Sequence, residues 1–300
     1  MGLEATWAKF VGKMARIHRD LRFSRGSQSY AYQRIISDMR STEELWNVLE
    51  DKAKRRALYE HLLQVKAALP VAEVASGKYV RLGSQEGDGG YIFWQGEAPP
   101  EEERIAYSFG VNDDVSWDLD MAQMGYEVYL YDHTIERLVQ DHPQFHFFKV
   151  GVCGTEPQPD CRPLAQLVAE NGHQDKKDLI LKMDVEGAEY ATFAACPSSV
   201  LEQFSQIALE LHSLTDYRRS EAIVGCLQKL LKSHQPIHIH ANNCNSLVGR
   251  VAGVEMPEVL EVTYLRRGEA EFKPSRRFFT TELDKPCDPH LPDIELGYWN

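Results

Sequence analysis

Two carboxylates at the end of an apolar run carry the strongest chemical signal in this chain. The run is Asp178-Leu-Ile-Leu-Lys-Met-Asp184-Val-Glu186-Gly187-Ala-Glu189-Tyr190. Residues 179–183 form a short apolar segment of the kind buried on both faces of a parallel sheet. Asp184 and Glu186 follow where such a strand ends, and Gly187 lets the backbone turn sharply into a helix over 188–203. In open α/β sheets, ligands sit outside the carboxyl ends of the strands. Carboxylates at that place are expected to touch a ligand, and the competing reading is that Asp184 only caps the next helix.

Two further strand ends carry titratable groups, Leu209-Glu210-Leu211-His212 and His238-Ile-His240-Ala-Asn242-Asn243. Alternate residues of a strand share a face, so Glu210 goes with His212 and His238 with His240. Imidazole titrates near neutrality and can take a proton from an alcohol. Glu186, Glu210, His212 and His240 are therefore the candidate catalytic residues. Asp184, His212 and His240 also form a donor set used by Fe, Mn or Zn, although no local spacing marks a metal motif. His238 reads as a hydrogen-bonded core histidine.

These residues need a scaffold that brings several strand ends together. Strand patterns fall at 105–109, 128–131, 146–150, 179–183, 206–211 and 236–240, and a seventh at 259–266 follows without a clear helix. Helical patterns fall at 115–124, 134–141, 163–172, 188–203 and 218–233. Such alternation predicts an α/β fold, a mostly parallel sheet with helices on both faces. Before it, Tyr79-Val-Arg-Leu and Tyr91-Ile-Phe-Trp94 read as two strands around a glycine-rich turn.

Residues 4–69 read as helical. Trp7, Phe10, Val11, Met14 and Ile17 form one apolar stripe. Ser41-Thr-Glu-Glu44 is a capping box for a helix that Pro70 stops. This divides the chain into a helical segment, 1–75, serving as a lid or homo-oligomerisation arm, and a main domain, 76–300. The proline-rich tail at 285–292 is expected to lie extended on the surface.

The loop after the first sheet strand, Gly110-Val111-Asn-Asp113-Asp114, has one glycine, so neither a dinucleotide fingerprint nor a P-loop is present. Its acids could neutralise a ligand ammonium or cap the helix starting near Ser116. Asp132 ends the second strand, where an acid can accept hydrogen bonds from a ribose diol. Gly151 and Val152 follow the third strand, where a small residue lets a flat ring approach, though glycine after a strand is ordinary.

Lys182-Met-Asp184-Val-Glu186-Gly187-Ala-Glu189 resembles the signature of FkbM-like methyltransferases, a branch of the S-adenosylmethionine-dependent class I superfamily. Asp88-Gly-Gly-Tyr91, Tyr107-Ser-Phe-Gly110-Val-Asn-Asp113, Tyr131-Asp132 and His238-Ile-His240-Ala-Asn242-Asn243 stand in the order that family has them. The resemblance covers 78–300. It implies a Rossmann-like class I methyltransferase fold with a seven-stranded sheet. It also implies S-adenosylmethionine as cofactor, held by Gly110, Val111, Asp113, Asp132, Gly151, Val152 and Asp184. The implied acceptor is a hydroxyl of a sugar, glycan or secondary metabolite. The chain departs from the common pattern at Ser108, where an acid often stands before a loop with more glycines. The alternatives are a methyltransferase-fold binding protein without chemistry and an NAD-dependent oxidoreductase, and the missing Gly-x-Gly-x-x-Gly speaks against the second.

A net charge of −12 argues against nucleic acid as a general partner. Six cysteines without a Cys-x-x-Cys pair suggest neither zinc nor a disulfide framework and fit a reducing cytoplasm. No apolar run of about 18 residues predicts a membrane span, and the first residues do not resemble a signal peptide.

Overall fold

This computed structural model describes residues 51–155, 158–244, 248–251 and 253–300. Within it, Ala53–Asn300 form one compact unit. The stripe at Trp7 and the capping box at Ser41 lie outside the described residues. The described chain begins on helix α1 (Lys52–Ala67), where Leu58, Leu62 and Val65 recur at helical spacing and are buried. From the same helix the ring of His61 meets Leu214 O at 2.8 Å and Ser220 Oγ at 2.9 Å. Strand β1 (Ala72–Val74) follows, then a hairpin of β2 (Lys78–Gly83) and β3 (Gly90–Gln95). Gly87 and Gly89 close that hairpin with φ of 106° and 81°, values that side chains resist.

Strand–helix alternation then begins with β4 (Ile105–Phe109), α2 (Ser116–Gln123), β5 (Glu127–Tyr131) and β6 (Phe145–Phe148). The side pair β7 (Gly151–Cys153) and β8 (Cys161–Pro163) precedes α3 (Leu164–Glu170) and β9 (Leu179–Met183). Next come α4 (Glu189–Ala195), α5 (Ser198–Leu201), β10 (Phe204–Leu211), α6 (Ser220–Leu230) and β11 (His234–Ala241). A hairpin of β12 (Val248–Val251) and β13 (Val254–Pro257) leads to β14 (Leu260–Arg266). The short strands β15 (Phe272–Pro274), β16 (Phe278–Phe279) and β17 (Gly297–Tyr298) finish the chain.

The central sheet has seven strands in the order β11-β14-β10-β9-β4-β5-β6. β14 runs antiparallel to both neighbours and the remaining pairs are parallel. This is the mostly parallel Rossmann-like α/β sheet that the alternation predicts. The order changes direction between β9 and β4, so the carboxyl ends of β4, β9 and β10 flank one crevice.

Ala106, Val128, Leu130, Ile180 and Ala208 form a core with Trp117 and Met121 of α2 and with Tyr91 and Phe93 of the hairpin. The hairpin is fixed across the sheet by Gln206, which exchanges 2.9 Å hydrogen bonds with Trp94 N and O, and by Thr263 Oγ1, which donates to Ile92 O. It therefore overlies β10 and β14, beside the ends that carry Glu210 and Glu261.

Two helical expectations differ from the structure. Residues 134–141 form bends, because Asp132 Oδ1 accepts from both N and Oγ1 of Thr134 and closes a tight turn where a helix would start. The helix over 188–203 is two pieces: Cys196 turns extended (φ −65°, ψ 127°) before Pro197, as the steric demand of proline requires.

The tail is more than a surface strap. Cys287, Asp284 and Trp299 are buried, Trp299 Nε1 donates to Leu69 O at 2.9 Å, and Asn243 Nδ2 donates to Asp288 O, Leu291 O and Pro292 O. Cys153, Cys161, Cys196, Cys226 and Cys287 are free and buried. Among the described residues no helix is long and apolar enough to cross a membrane.

Candidate active site

Strand β9 ends with its backbone locked to β4. Asp184 N donates to Phe109 O at 3.0 Å, and Lys182 Nζ donates to Gly110 O at 2.6 Å. Gly110 has φ 74°, and a Cβ there would lie 1.6 Å from Asp184 O. No side chain fits that gap, so glycine at 110 is what allows the two strand ends to touch. Beyond Asp184, Glu186 itself adopts φ 53° and Gly187 φ 103°. A left-handed value is uncommon for glutamate, and such outliers gather at functional sites.

The loop is tied down by Glu189, the first residue of α4 and fully buried. Its Oε1 accepts from Val185 N at 3.3 Å, Gly187 N at 3.2 Å and His212 Nδ1 at 2.9 Å. A carboxylate only accepts, so this contact puts a proton on Nδ1 and turns Nε2 outward. His212 Nε2 then stands 3.4 Å from Glu186 Oε2, 3.7 Å from Asp184 Oδ1 and 4.0 Å from Glu210 Oε1. Burial lowers the pKa of His212, but the carboxylates of Glu189, Asp184 and Glu186 outweigh it and the net shift is upward. Asp184 is one-quarter exposed and Glu186 largely exposed, so the cluster opens to solvent on one side.

Glu210 is buried behind them. Burial first, then the charges of Asp184, Glu261 and Asp88, push its pKa well up, and Asn242 Nδ2 donates to its Oε1 at 2.6 Å. The Asp88 turn reaches the same place. Asp88 is exposed along part of its length, yet packed protein around its carboxyl, followed by Glu261 and Asp184, raises its pKa. The Tyr91 ring lies buried beneath, with the Lys182 ammonium 5.7 Å from its centroid.

His240 sits apart from this group. Its Nδ1 meets Glu261 Oε2 at 3.0 Å and its Nε2 meets Asp293 Oδ1 at 3.1 Å. Burial opposes the charged ring, yet Glu261 and Asp293 hold it as imidazolium, with a pKa raised to about 10. Cys287 Sγ donates to the other oxygen of Glu261 at 3.3 Å. His238 is the hydrogen-bonded core histidine the sequence suggests, with Nε2 2.8 Å from Asp284 Oδ1.

On the cofactor side, both Asp132 oxygens serve the chain. Oδ2 accepts from Val111 N at 3.0 Å and Asn112 N at 2.9 Å, while Oδ1 takes Thr134. These bonds outweigh burial and lower its pKa. Asp114 accepts from Ser116 N at 2.7 Å, the capping-type role, whereas Asp113 is exposed. Val111 and Val152 are buried, and a Cβ on Gly151 would lie 2.7 Å from both Cys161 Sγ and His133 Nδ1.

The structure thus brings Asp184, Glu186, Glu210 and His212 together and gives His240 other partners. Glu189, Asn242 and Glu261 carry weight here that sequence reading leaves unassigned. The first two stand inside the quoted motifs, and their chemistry was the available signal. Glu261 had none, because only strand register sets it opposite Glu210 and His240.

The Methyltransferase FkbM domain family matches residues 78–245, more than half of the chain. The chain belongs to that family and is a methyltransferase by it. A solved structure described as a putative S-adenosylmethionine dependent methyltransferase from Listeria monocytogenes is similar at 10% identity and a TM-score of 0.34, covering 57% of this chain and 94% of that one. No curated protein matches the chain.

Proposed function

We propose that this chain is an S-adenosylmethionine-dependent O-methyltransferase whose acceptor is a hydroxyl of a sugar, glycan or secondary metabolite. The observation that carries the reading is the convergence of Asp184, Glu186, Glu210 and His212 where β9 and β10 end. When bound, the cofactor supplies an electrophilic methyl group on a cationic sulfonium. The donor set suits such a cation, since carboxylates outnumber positive groups and Lys182 is already given to Gly110 O. We assign Asp184 and Asp113 to its charge, and Gly110 and Val111 to the backbone that lies along it. Gly151 and Val152 are assigned to its ring. Asp132 is assigned to the ribose, where the diol would share an oxygen now taken by the amides of Val111 and Asn112.

Methyl transfer needs acceptor oxygen, methyl carbon and sulfur in line. It also needs a place for the acceptor's proton, and the cluster of Glu186 and His212 provides it. Six cysteines without a Cys-x-x-Cys pair fit a reducing compartment, so we assign the protein to the cytoplasm. For the amino-terminal segment, 1–75, we keep the proposed role of lid or homo-oligomerisation arm.

Calorimetric titration with S-adenosylmethionine and with NAD, followed by transfer of labelled methyl to a panel of hydroxylated sugars, tests the reading. Binding of the sulfonium compound and label on an acceptor oxygen are expected. Binding of NAD alone, or of neither, overturns it.

A further inference from the structure

The mouth is short of positive charge. Asp184, Glu186, Glu189 and Glu210 surround one imidazole, while the Lys182 ammonium is occupied by Gly110 O at 2.6 Å and the Arg219 guanidinium by Gly187 O at 3.3 Å. The neighbouring cluster shows how the chain satisfies such groups when it intends to. There Glu261 bridges His240 and Cys287, and Asp293 takes the remaining ring nitrogen. Among the described residues no equivalent pairing reaches His212 Nε2. Its three carboxylate neighbours stand at 3.4, 3.7 and 4.0 Å, all beyond the usual hydrogen-bond range.

We propose that Asp184, Glu210 and His212 hold one divalent first-row transition ion. One donor atom from each lies within 4.8 Å of the others. Donors bound to one ion at about 2.0–2.2 Å stand about 3 Å apart when adjacent and about 4 Å apart when opposite. The observed separations therefore need only small side-chain movements. Two carboxylates and an imidazole suit Mn, Fe or Zn better than the all-oxygen sets of Ca.

The surrounding bonds are those a ligand set requires. A metal-binding imidazole commonly gives its other N–H to a carboxylate, and His212 Nδ1 gives its own to buried Glu189. Glu210, a ligating carboxylate in this scheme, is fixed by Asn242 Nδ2 at 2.6 Å. The two ligand strands are neighbours in parallel register, with Leu209 opposite Met183, so Asp184 and Glu210 continue the same pair of strand ends.

The role of the ion rests on the O-methyltransferase reading, although the ion site itself does not. An acceptor hydroxyl bound to the ion becomes more acidic. Its O–H bond would break as the proton passes to the exposed carboxylate of Glu186, the oxygen's electron pair would form the bond to the methyl carbon, and the methyl–sulfur bond would break with its pair going to sulfur, which leaves as the neutral thioether. His212 then acts as ligand and not as base.

The test uses the full chain, stripped with chelator and free of S-adenosylmethionine, titrated with Mn²⁺ and followed by electron paramagnetic resonance. One tightly bound ion per chain is expected. Asp184→Asn and Glu210→Gln should each weaken Mn²⁺ binding by more than about tenfold, and Glu189→Gln by about 10–100-fold through the loosened imidazole. Cys287→Ser should bind as the wild type does. Thermal melts in chelator identify which of these variants are folded, and any one folded ligand variant decides the question. Absence of Mn²⁺ binding to the wild type, or its loss in Cys287→Ser with retention in Glu210→Gln, overturns the assignment. Titrating the stripped chain with S-adenosylmethionine separates the two readings. Uptake of S-adenosylmethionine without Mn²⁺ overturns the ion alone, and Mn²⁺ uptake without S-adenosylmethionine supports the ion and overturns the donor.

Discussion

Two clusters of acid and imidazole lie on one row of the sheet, and they are built on opposite terms. Glu210, Glu261 and His240 are direct register partners across β10, β14 and β11. At the His240 end the imidazolium is flanked by Glu261 and Asp293, and Asp284 hydrogen-bonds the neighbouring His238. At the Glu210 end, burial and then the crowding of neighbouring carboxylates push the Glu210 pKa well up. A buried charge is tolerable when paired and costly when it is not. The first cluster is therefore an internal fastening that holds the tail to the sheet. The second holds unspent binding capacity at a place open to solvent, which is where a ligand belongs.

The sharpest way to break this contrast is at His212. His212→Ala should lower the methyl-transfer rate by roughly 10²–10⁴-fold, the scale on which loss of a group that activates the acceptor hydroxyl is felt. Affinity for S-adenosylmethionine should hardly change, since His212 is assigned to the acceptor and not to the cofactor. Full activity in this variant would remove the mouth from the chemistry.

The matching change in the fastening is Glu261→Gln. It should cost about 3 kcal/mol of stability by leaving the His240 imidazolium short of a buried partner, as measured by urea unfolding. Stability equal to the wild type would mean that the His240 cluster does not fasten the tail.

Asp132→Ala comes next. Loss of charge-assisted hydrogen bonds should weaken S-adenosylmethionine binding by about 1.5–3 kcal/mol. Because Asp132 also carries the amides of Val111 and Asn112, the melting temperature should fall too. A lower melting temperature with unchanged affinity would leave Asp132 only as the support of the loop.

The smallest effect is a pH slope. The folded pKa of His240 is raised to about 10 from an ordinary 6.5. Its pairing with Glu261 and Asp293 therefore contributes fully below pH 6.5 and is lost as pH rises through 10. The stability gap between wild type and His240→Gln should be widest near pH 6 and close by less than about 1.4 kcal/mol per pH unit toward pH 10. A gap that widens with pH would reverse the assignment of charge.

Much of the scaffold was legible because its signals are local. Leu179–Met183 and Ile105–Phe109 read correctly as strands, since a strand buried on both faces is mostly apolar, with Lys182 and Ser108 the one polar residue in each. The Asp184-Val-Glu186-Gly187 turn was legible for the same reason: it needs carboxylates at the strand end and a residue that accepts positive φ just after them. Where a local signal met a stronger local competitor, the reading slipped, as at Thr134, whose amide and hydroxyl are captured by Asp132.

Sequence by itself determined the order of strands and helices, the residue types at each strand end and the family signature at 182–189. Tertiary structure decided which of those residues meet. Glu189 finds His212 across 23 positions, Glu261 reaches Glu210 and His240 through the antiparallel insertion of β14, and Asp293 and Cys287 arrive from the tail. Spacing along a chain encodes contacts three or four residues apart on a helix and two apart on a strand. Pairings between distant segments are set by sheet order and register, which depend on the packing of the whole unit. That is why Asp184, Glu186, Glu210, His212 and His240 could be named in advance, while the parts of Glu189, Glu261 and Asp293, and the division into a fastening and a mouth, could not.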